Sequence, residues 1–181
     1  MELAVDHHFA AVRITELAAG TEVQRTGAIS ASEGTPPTPG FAVTKAKATL
    51  DDLKSLARRN NRMQREEIMM LQTFLLKWYR IIYQIRPESQ AMINLLERAL
   101  PGDDFNRTFF EILSRHHFAL LQPLNGCLTG SELEHFDLRR GCSDMWHSQA
   151  SDVDHMRHEL AKHYGIVDYQ PFDGESLLQP H

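Results

Sequence analysis

Only two cysteines occur in the chain, Cys127 and Cys142. The count is too low for a zinc knuckle, and the spacing is not CxxC. In an oxidising compartment the pair closes a hairpin; in the cytosol it is two buried thiols. Spacing alone does not choose between these. No apolar run approaches the roughly 20 residues of a membrane-spanning helix, so membrane insertion is not expected. Basic charge is not in excess: 19 Lys and Arg face 24 Asp and Glu, a formal net charge of −5. That balance argues against a nucleic-acid partner, which needs a basic face. There is no Gly-rich phosphate loop, nucleophile elbow or Ser-His-Asp set. No signal-peptide pattern precedes Glu2, so the expectation is either a cytosolic protein or a mature form whose leader was removed.

What the chain does have is histidine and helical periodicity. Eight of the ten histidines lie at or after His116. Apolar residues recur at helical spacing almost throughout. The pattern predicts a helix over 1–19 ended by Gly20, then a long loop over 21–47 containing "GTPPTPG". A long helix follows to about Arg86, capped by Thr49 with Asp52 three residues on. Its Lys54, Arg58, Arg62 and Arg65 share one side, expected to be solvated. Pro87 opens a short helix over 88–99, and Pro101-Gly102-Asp103-Asp104 breaks it and caps another over about 104–122, ended by Pro123 and Gly126. Ser131 and Glu134 suggest a capping box for a last helix running to Tyr164, with Gly165 after it and an irregular tail from Ile166.

Two decapeptides raise the possibility of a duplication: "MELAVDHHFA" at the start and "FEILSRHHFA" at 110–119. Adding 109 maps His7 and His8 onto His116 and His117, and Phe9-Ala10 onto Phe118-Ala119. Adding 85 maps Gln64 onto Gln149, Glu67 onto Asp152, Ile68 onto Val153 and Leu71 onto Met156. The offsets differ by 24, which the 21–47 loop absorbs. Two helical hairpins, one over about 1–86 and one over about 103–165, joined by the 88–99 helix, predict a single all-α, four-helix-bundle domain. The second copy has a run-up from Pro101 to Phe109 that the first lacks, so a first turn is expected to be missing before Met1.

Within each predicted helix the apolar stripe takes in polar residues at equivalent places. His8 and His117 fall in the stripe, with His7 and His116 on its shoulder. Glu67 and Asp152 fall in the stripes of the second helices. A buried, unpaired carboxylate costs several kcal/mol or becomes protonated, so each acid needs a partner, and imidazole is suitable chemistry. Two readings stay open. In one, His and carboxylate are hydrogen-bonded pairs that set bundle register. In the other, the acids and up to four imidazoles line a metal site in the bundle core, to which Met156 and His155 can add. Imidazole suits copper, zinc, iron and nickel, and thioether adds a preference for Cu(I). Met69, Met70 and Met145 lie close by in sequence, but methionine at helical spacing is ordinarily core filler. A further cluster, His147, His155, His158 and His163 with Asp144, Asp154 and Glu159, offers surface i,i+3 and i,i+4 pairs. A di-iron oxidase needs Glu from two helices and Glu-x-x-His from two others. Only Asp152-x-x-His155 approaches that, so no enzyme is expected.

His-His-x-x-Ala on one helix and Gln-x-x-(Glu/Asp)-(Ile/Val)-x-x-Met on the next resemble domain-of-unknown-function family 305, a ferritin-like group of bacterial proteins. The second copy carries the motifs as "HHFA" and "QASDVDHM", the first as "HHFAAV" and "QREEIMML" followed by "FLLKWY". The resemblance implies a ferritin-like bundle, usually exported to the periplasm or beyond the cell, some members of which bind copper or silver through His and Met. By position it assigns the His pairs to His7, His8, His116 and His117 and the acids to Glu67 and Asp152. The methionines that often flank the His pair are replaced here by Leu3 or Leu113 and by Ile14 or Pro123, and the motif's closing Met is Leu71 in the first copy. The expected partner is thus a metal ion, with a purely structural or interaction module as the alternative, in which the 21–47 loop makes the contacts.

Overall fold

In a computed structural model of the chain, residues 1–25, 32–86, 90–130 and 133–167 are described. They form four long helices, one short helix and a two-residue antiparallel ladder: α1 (Glu2–Ala19), β1 (Gln24–Arg25), β2 (Ser32–Glu33), α2 (Asp51–Tyr79), α3 (Gln90–Arg98), α4 (Asp103–Thr129) and α5 (Phe136–Tyr164). The all-α expectation holds. No helix among the described residues is long and apolar enough to cross a membrane. The chain divides into two compact units, Met1–Phe109 and the part from Phe110 onward.

In the first unit α1 is the central element. Fifteen of its 18 residues are buried, including Asp6, His7, His8, Arg13 and Glu16. A single apolar stripe does not explain this. Besides α2, the 38–48 segment lies against Phe9, Arg13, Glu16, Leu17 and Ala18, and Tyr83 and Arg86 lie against Asp6. The segment also serves the end of α1, where terminal carbonyls lack intrahelical donors. Lys47 N–H donates to Leu17 O and Ala48 N–H to Ala18 O, at 3.0 and 3.3 Å. Gly20, at φ 78°, ends the helix as expected; a Cβ there would come within 2.8 Å of Ala46 N.

Buried charge on α1 fastens the covering segment. Glu16 accepts hydrogen bonds from the Thr38 amide (2.7 Å) and hydroxyl, from Arg13 (3.1 Å) and from Arg65 (2.9 Å). Arg13 reaches on to Ala42 O at 3.2 Å and Glu97 at 3.0 Å, with Phe41 stacked over its guanidinium. Arg65 is therefore no part of a solvated face: its side chain is 28% exposed and held on both sides.

Several predicted boundaries move. Thr49 does not cap α2. It pairs with the buried amide of Asn106, giving its N–H to Oδ1 (3.1 Å) and accepting from Nδ2 (2.8 Å), while Leu50 holds the cap position without a side-chain hydrogen bond. The acids Asp51 and Asp52 still complement the dipole of the first turn. At its other end α2 stops at Tyr79, not Arg86. Arg80 enters the left-handed region (φ 59°), and the freed 81–86 segment turns back so that Tyr83 and Arg86 reach Asp6 on α1. The short helix spans Gln90–Arg98; its expected opening residue, Pro87, lies outside the described residues.

In the second unit α4 does not end at Pro123 but runs through it to Thr129. A mid-helix proline removes one hydrogen bond and crowds the carbonyl four residues back. The turns beyond it are held from α5. A disulfide joins Cys127 to Cys142, and Arg139 donates to Leu128 O and Gly130 O, both at 2.9 Å. The cysteines are thus a disulfide rather than thiols. Helix α5 opens at Phe136 behind His135, later than the capping-box reading; Ser131 lies outside the described residues, as does the tail from 168 on. Gly165 closes α5 at φ 65° as expected.

Candidate metal centre

In the first unit, residues of α1 and α2 spaced by whole turns face one another. The buried stripe of α2 is Leu53, Leu56, Ala57, Asn60, Asn61, Gln64, Ile68, Leu71 and Leu75. Glu67 lies at its edge, 17% exposed, and reaches His8, which is fully buried. His8 Nε2 is 2.7 Å from Glu67 Oε2, and its Nδ1 faces the Ala4 carbonyl one turn earlier. A carbonyl can only accept, so in that contact Nδ1 is the donor, and Nε2 is the atom turned to the Glu67 carboxylate. A histidine ring fixed at one nitrogen by a backbone carbonyl, with the other aimed at a carboxylate, has the outer arrangement of a metal-ligating imidazole. His7, also buried, sits edge-on to His8 with ring centroids 5.6 Å apart.

In the second unit the equivalent residues are buried as well: His116, His117, Gln149, Asp152 and Met156. The geometry differs, however. His117 presents Nδ1, not Nε2, to Asp152 Oδ2, at 3.7 Å, which is too long for a direct hydrogen bond. The rings of His116 and His117 are 6.3 Å apart. Met156 lies one turn beyond Asp152 on the same buried face. His155 is exposed, on the solvent side of α5, and so are His147 and His158. Of the expected surface pairs, Glu159 joins not His155 but Lys162 and His163, at 3.3 and 3.0 Å. Burial opposes its ionisation, yet the hydrogen bonds and charges of Lys162 and His163 outweigh this and hold its carboxyl below the usual range. Cys127, in the disulfide, has no thiol to act as a nucleophile.

The structure thus forms two His–acid pairs, His8 with Glu67 and His117 with Asp152, one in each unit. Among the described residues no group of three or more His, Cys, Asp and Glu side chains is close enough to hold a metal ion.

The chain shares its fold with CopM. The structure of CopM in the Cu(I)-bound form matches with a TM-score of 0.68 at 21% identity, covering 91% of this chain and 94% of that one. CopM in the Cu(II)-bound form matches with a TM-score of 0.66 at 20% identity, over 90% and 94%. No family model and no curated protein matches the chain. At this identity the likeness to CopM extends to the path of the helices, while the copper belongs to CopM.

Periodicity missed several polar residues of the first unit: Asp6, Arg13, Glu16 and Asn61 are all buried. Asp6 accepts from the Tyr83 hydroxyl at 2.6 Å and from Arg86 N–H at 2.8 Å. Burial, and then this hydrogen bond, pushes the Tyr83 phenol above its ordinary range. Asn61 donates to Val12 O and Thr15 Oγ1, at 3.1 and 3.0 Å. The available signal was the charge of Asp6, Arg13 and Glu16 inside an alanine-rich helix.

Proposed function

We propose that this chain is an exported protein that binds a transition metal, copper foremost, at its buried His–acid pairs. The observation that carries the reading is His8. Two ligand atoms about 2.0–2.1 Å from one metal ion, at a right angle to each other, lie about 2.9 Å apart. The 2.7 Å between Nε2 and Glu67 Oε2 is close to that bite. A metal ion would be held by Nε2 and Oε2, with the Ala4 carbonyl keeping the ring in place. Nitrogen and oxygen donors suit Cu(II), zinc or nickel; in the second unit His117, Asp152 and Met156 make a softer set that suits copper in either oxidation state. The fold shared with copper-bound CopM supports copper among these. Export is supported by the Cys127–Cys142 disulfide, since such bonds persist in oxidising compartments.

Elemental analysis after dialysis of chelator-stripped protein loaded with Cu(II), Cu(I) or Zn(II) tests this. The expected result is stoichiometric copper, lost from the variant carrying His8→Ala and His117→Ala. Copper retained equally by that variant, or not retained by the wild type, overturns the reading. A second reading rests on the same atoms. Both nitrogens of His8 already have partners, and no third ligand of the carboxylate, imidazole or thiolate type joins them among the described residues. On that reading the pairs hold the units' helices in register, no metal is taken up, and His8→Ala alone lowers the unfolding midpoint markedly.

A further inference from the structure

We propose that α2 and the turn at 34–36 form a binding groove for a small, multiply charged oxyanion of the phosphate or polycarboxylate type. The chain is acidic overall, yet four arginines fall between residues 58 and 65 of one helix. Arg58, Arg59, Arg62 and Arg65 all line a single cavity of about 580 Å³, and among the described residues the only carboxylate lining it is Glu66. Arg65 is neutralised by Glu16, and its Nη2 also donates to Pro36 O at 2.7 Å, so it ties the helix to the opposite wall. Arg58 spends one N–H on the neutral hydroxyl of Ser55, and neither Arg58 nor the exposed Arg62 forms a salt bridge among the described residues. Arg58 acts only as the weakest influence on Asp51, which Lys54 already pairs at 2.9 Å, so the groove holds cationic charge that its own lining does not pair.

The opposite wall is fastened to the backbone at Gly20 and Glu22. Gly34 adopts φ 80°, and a Cβ there would fall 2.0 Å from Glu22 O, so the turn lies directly on the backbone at Glu22. Thr35 gives both its N–H (2.9 Å) and its hydroxyl (3.1 Å) to Gly20 O. A preformed wall spares a ligand the cost of ordering it. Guanidinium forks match phosphate and carboxylate oxygens two at a time. The cavity exceeds what a lone orthophosphate needs and falls within the roughly 300–1,000 Å³ of small-molecule sites. The arginines extend along only about 10 Å of helix, at about 1.5 Å per residue, which suits a compact molecule rather than a polymer track.

Isothermal titration of the metal-free full chain with inorganic pyrophosphate, and separately with citrate, in a buffer of low ionic strength tests the groove. The expected result is one saturable site per chain, weakened at least tenfold by Arg58→Ala with Arg62→Ala and unchanged by Arg140→Ala, an exposed arginine of α5. Saturation by pyrophosphate alone identifies a phosphate ligand, by citrate alone a polycarboxylate, and by both the shared oxyanion chemistry. Circular dichroism of the double variant should match the wild type; if its helicity falls, the Arg58→Gln, Arg62→Gln pair replaces it in the same titration. Absence of saturable binding by either probe, or equal weakening by Arg140→Ala, overturns the proposal.

Discussion

The side chains that set this protein apart are polar groups with almost no exposure to water. His8 is the one on which the proposed metal site rests, and Glu16 is the one that holds structure together. Glu16 is fully buried and accepts from Arg13, Arg65 and both donors of Thr38. A buried carboxylate with four donors is satisfied; the same donors without it are not, and Arg13 is itself buried. Breaking a buried ion pair by removing one partner costs more than the pair contributes, because the remaining charge stays desolvated. Arg13 keeps Glu97 at 3.0 Å and Arg65 keeps the Pro36 carbonyl, which moderates the loss. Glu16→Ala is expected to lower unfolding free energy by about 3 kcal/mol in urea titration. Glu16→Gln, which retains an acceptor for Thr38, is expected to lose less. If Glu16→Ala melts like the wild type, the covering segment is not held by this carboxylate.

At the scale of helices, the useful contrast is between ends that were legible and ends that were not. Gly20 and Gly165 closed their helices where glycine was read as a stop. Pro123 was read the same way and is crossed, because Cys142 and Arg139 on α5 hold the turns that follow. Those partners are distant in sequence, and local signals do not report them. Tyr79 was passed over because the left-handed residue that ends α2 is Arg80, where a glycine or asparagine would have been a signal. Thr49 looked like a cap and was diverted to Asn106, again a long-range partner. The site followed the same division. The buried faces of α2 and α5 were legible from spacing, and so was the pairing of His8 with Glu67. The charged network around Arg13 was not, since periodicity assumes one dry face and α1 has two. Pro123 also carries a prediction. It is only partly exposed and its ring bridges no hydrogen bond, so Pro123→Ala restores an amide donor at little packing cost. With a mid-helix proline costing roughly 3 kcal/mol against alanine, the variant should gain about 1–3 kcal/mol in urea or thermal unfolding. A destabilised Pro123→Ala would mean that α4 needs a kink at this turn.

Over the whole molecule, the two compact units use different devices. The first is fastened by buried charge: Glu16 with two arginines, Asp6 with Tyr83 and Arg86, and Lys47, whose ammonium caps the end of α3 through Leu96 O and Ala99 O at 3.1 Å. The second has the disulfide, which closes a loop of about 15 residues, a length for which the chain-entropy estimate is about 3 kcal/mol. Reduction should therefore act locally. In hydrogen exchange followed by mass spectrometry, a reductant is expected to speed exchange over the last turns of α4 and the first turns of α5, around Cys127 and Cys142. Amides of α1, held by the Glu16 network and the 33–48 segment, should keep their protection. Protection unchanged near Cys142, or lost to the same degree in α1, would show that the crosslink does not act on the second unit alone. The experiment also bears on export. If exchange speeds up around Cys127 and Cys142, the order of these turns depends on the disulfide, a bond that persists in oxidising compartments.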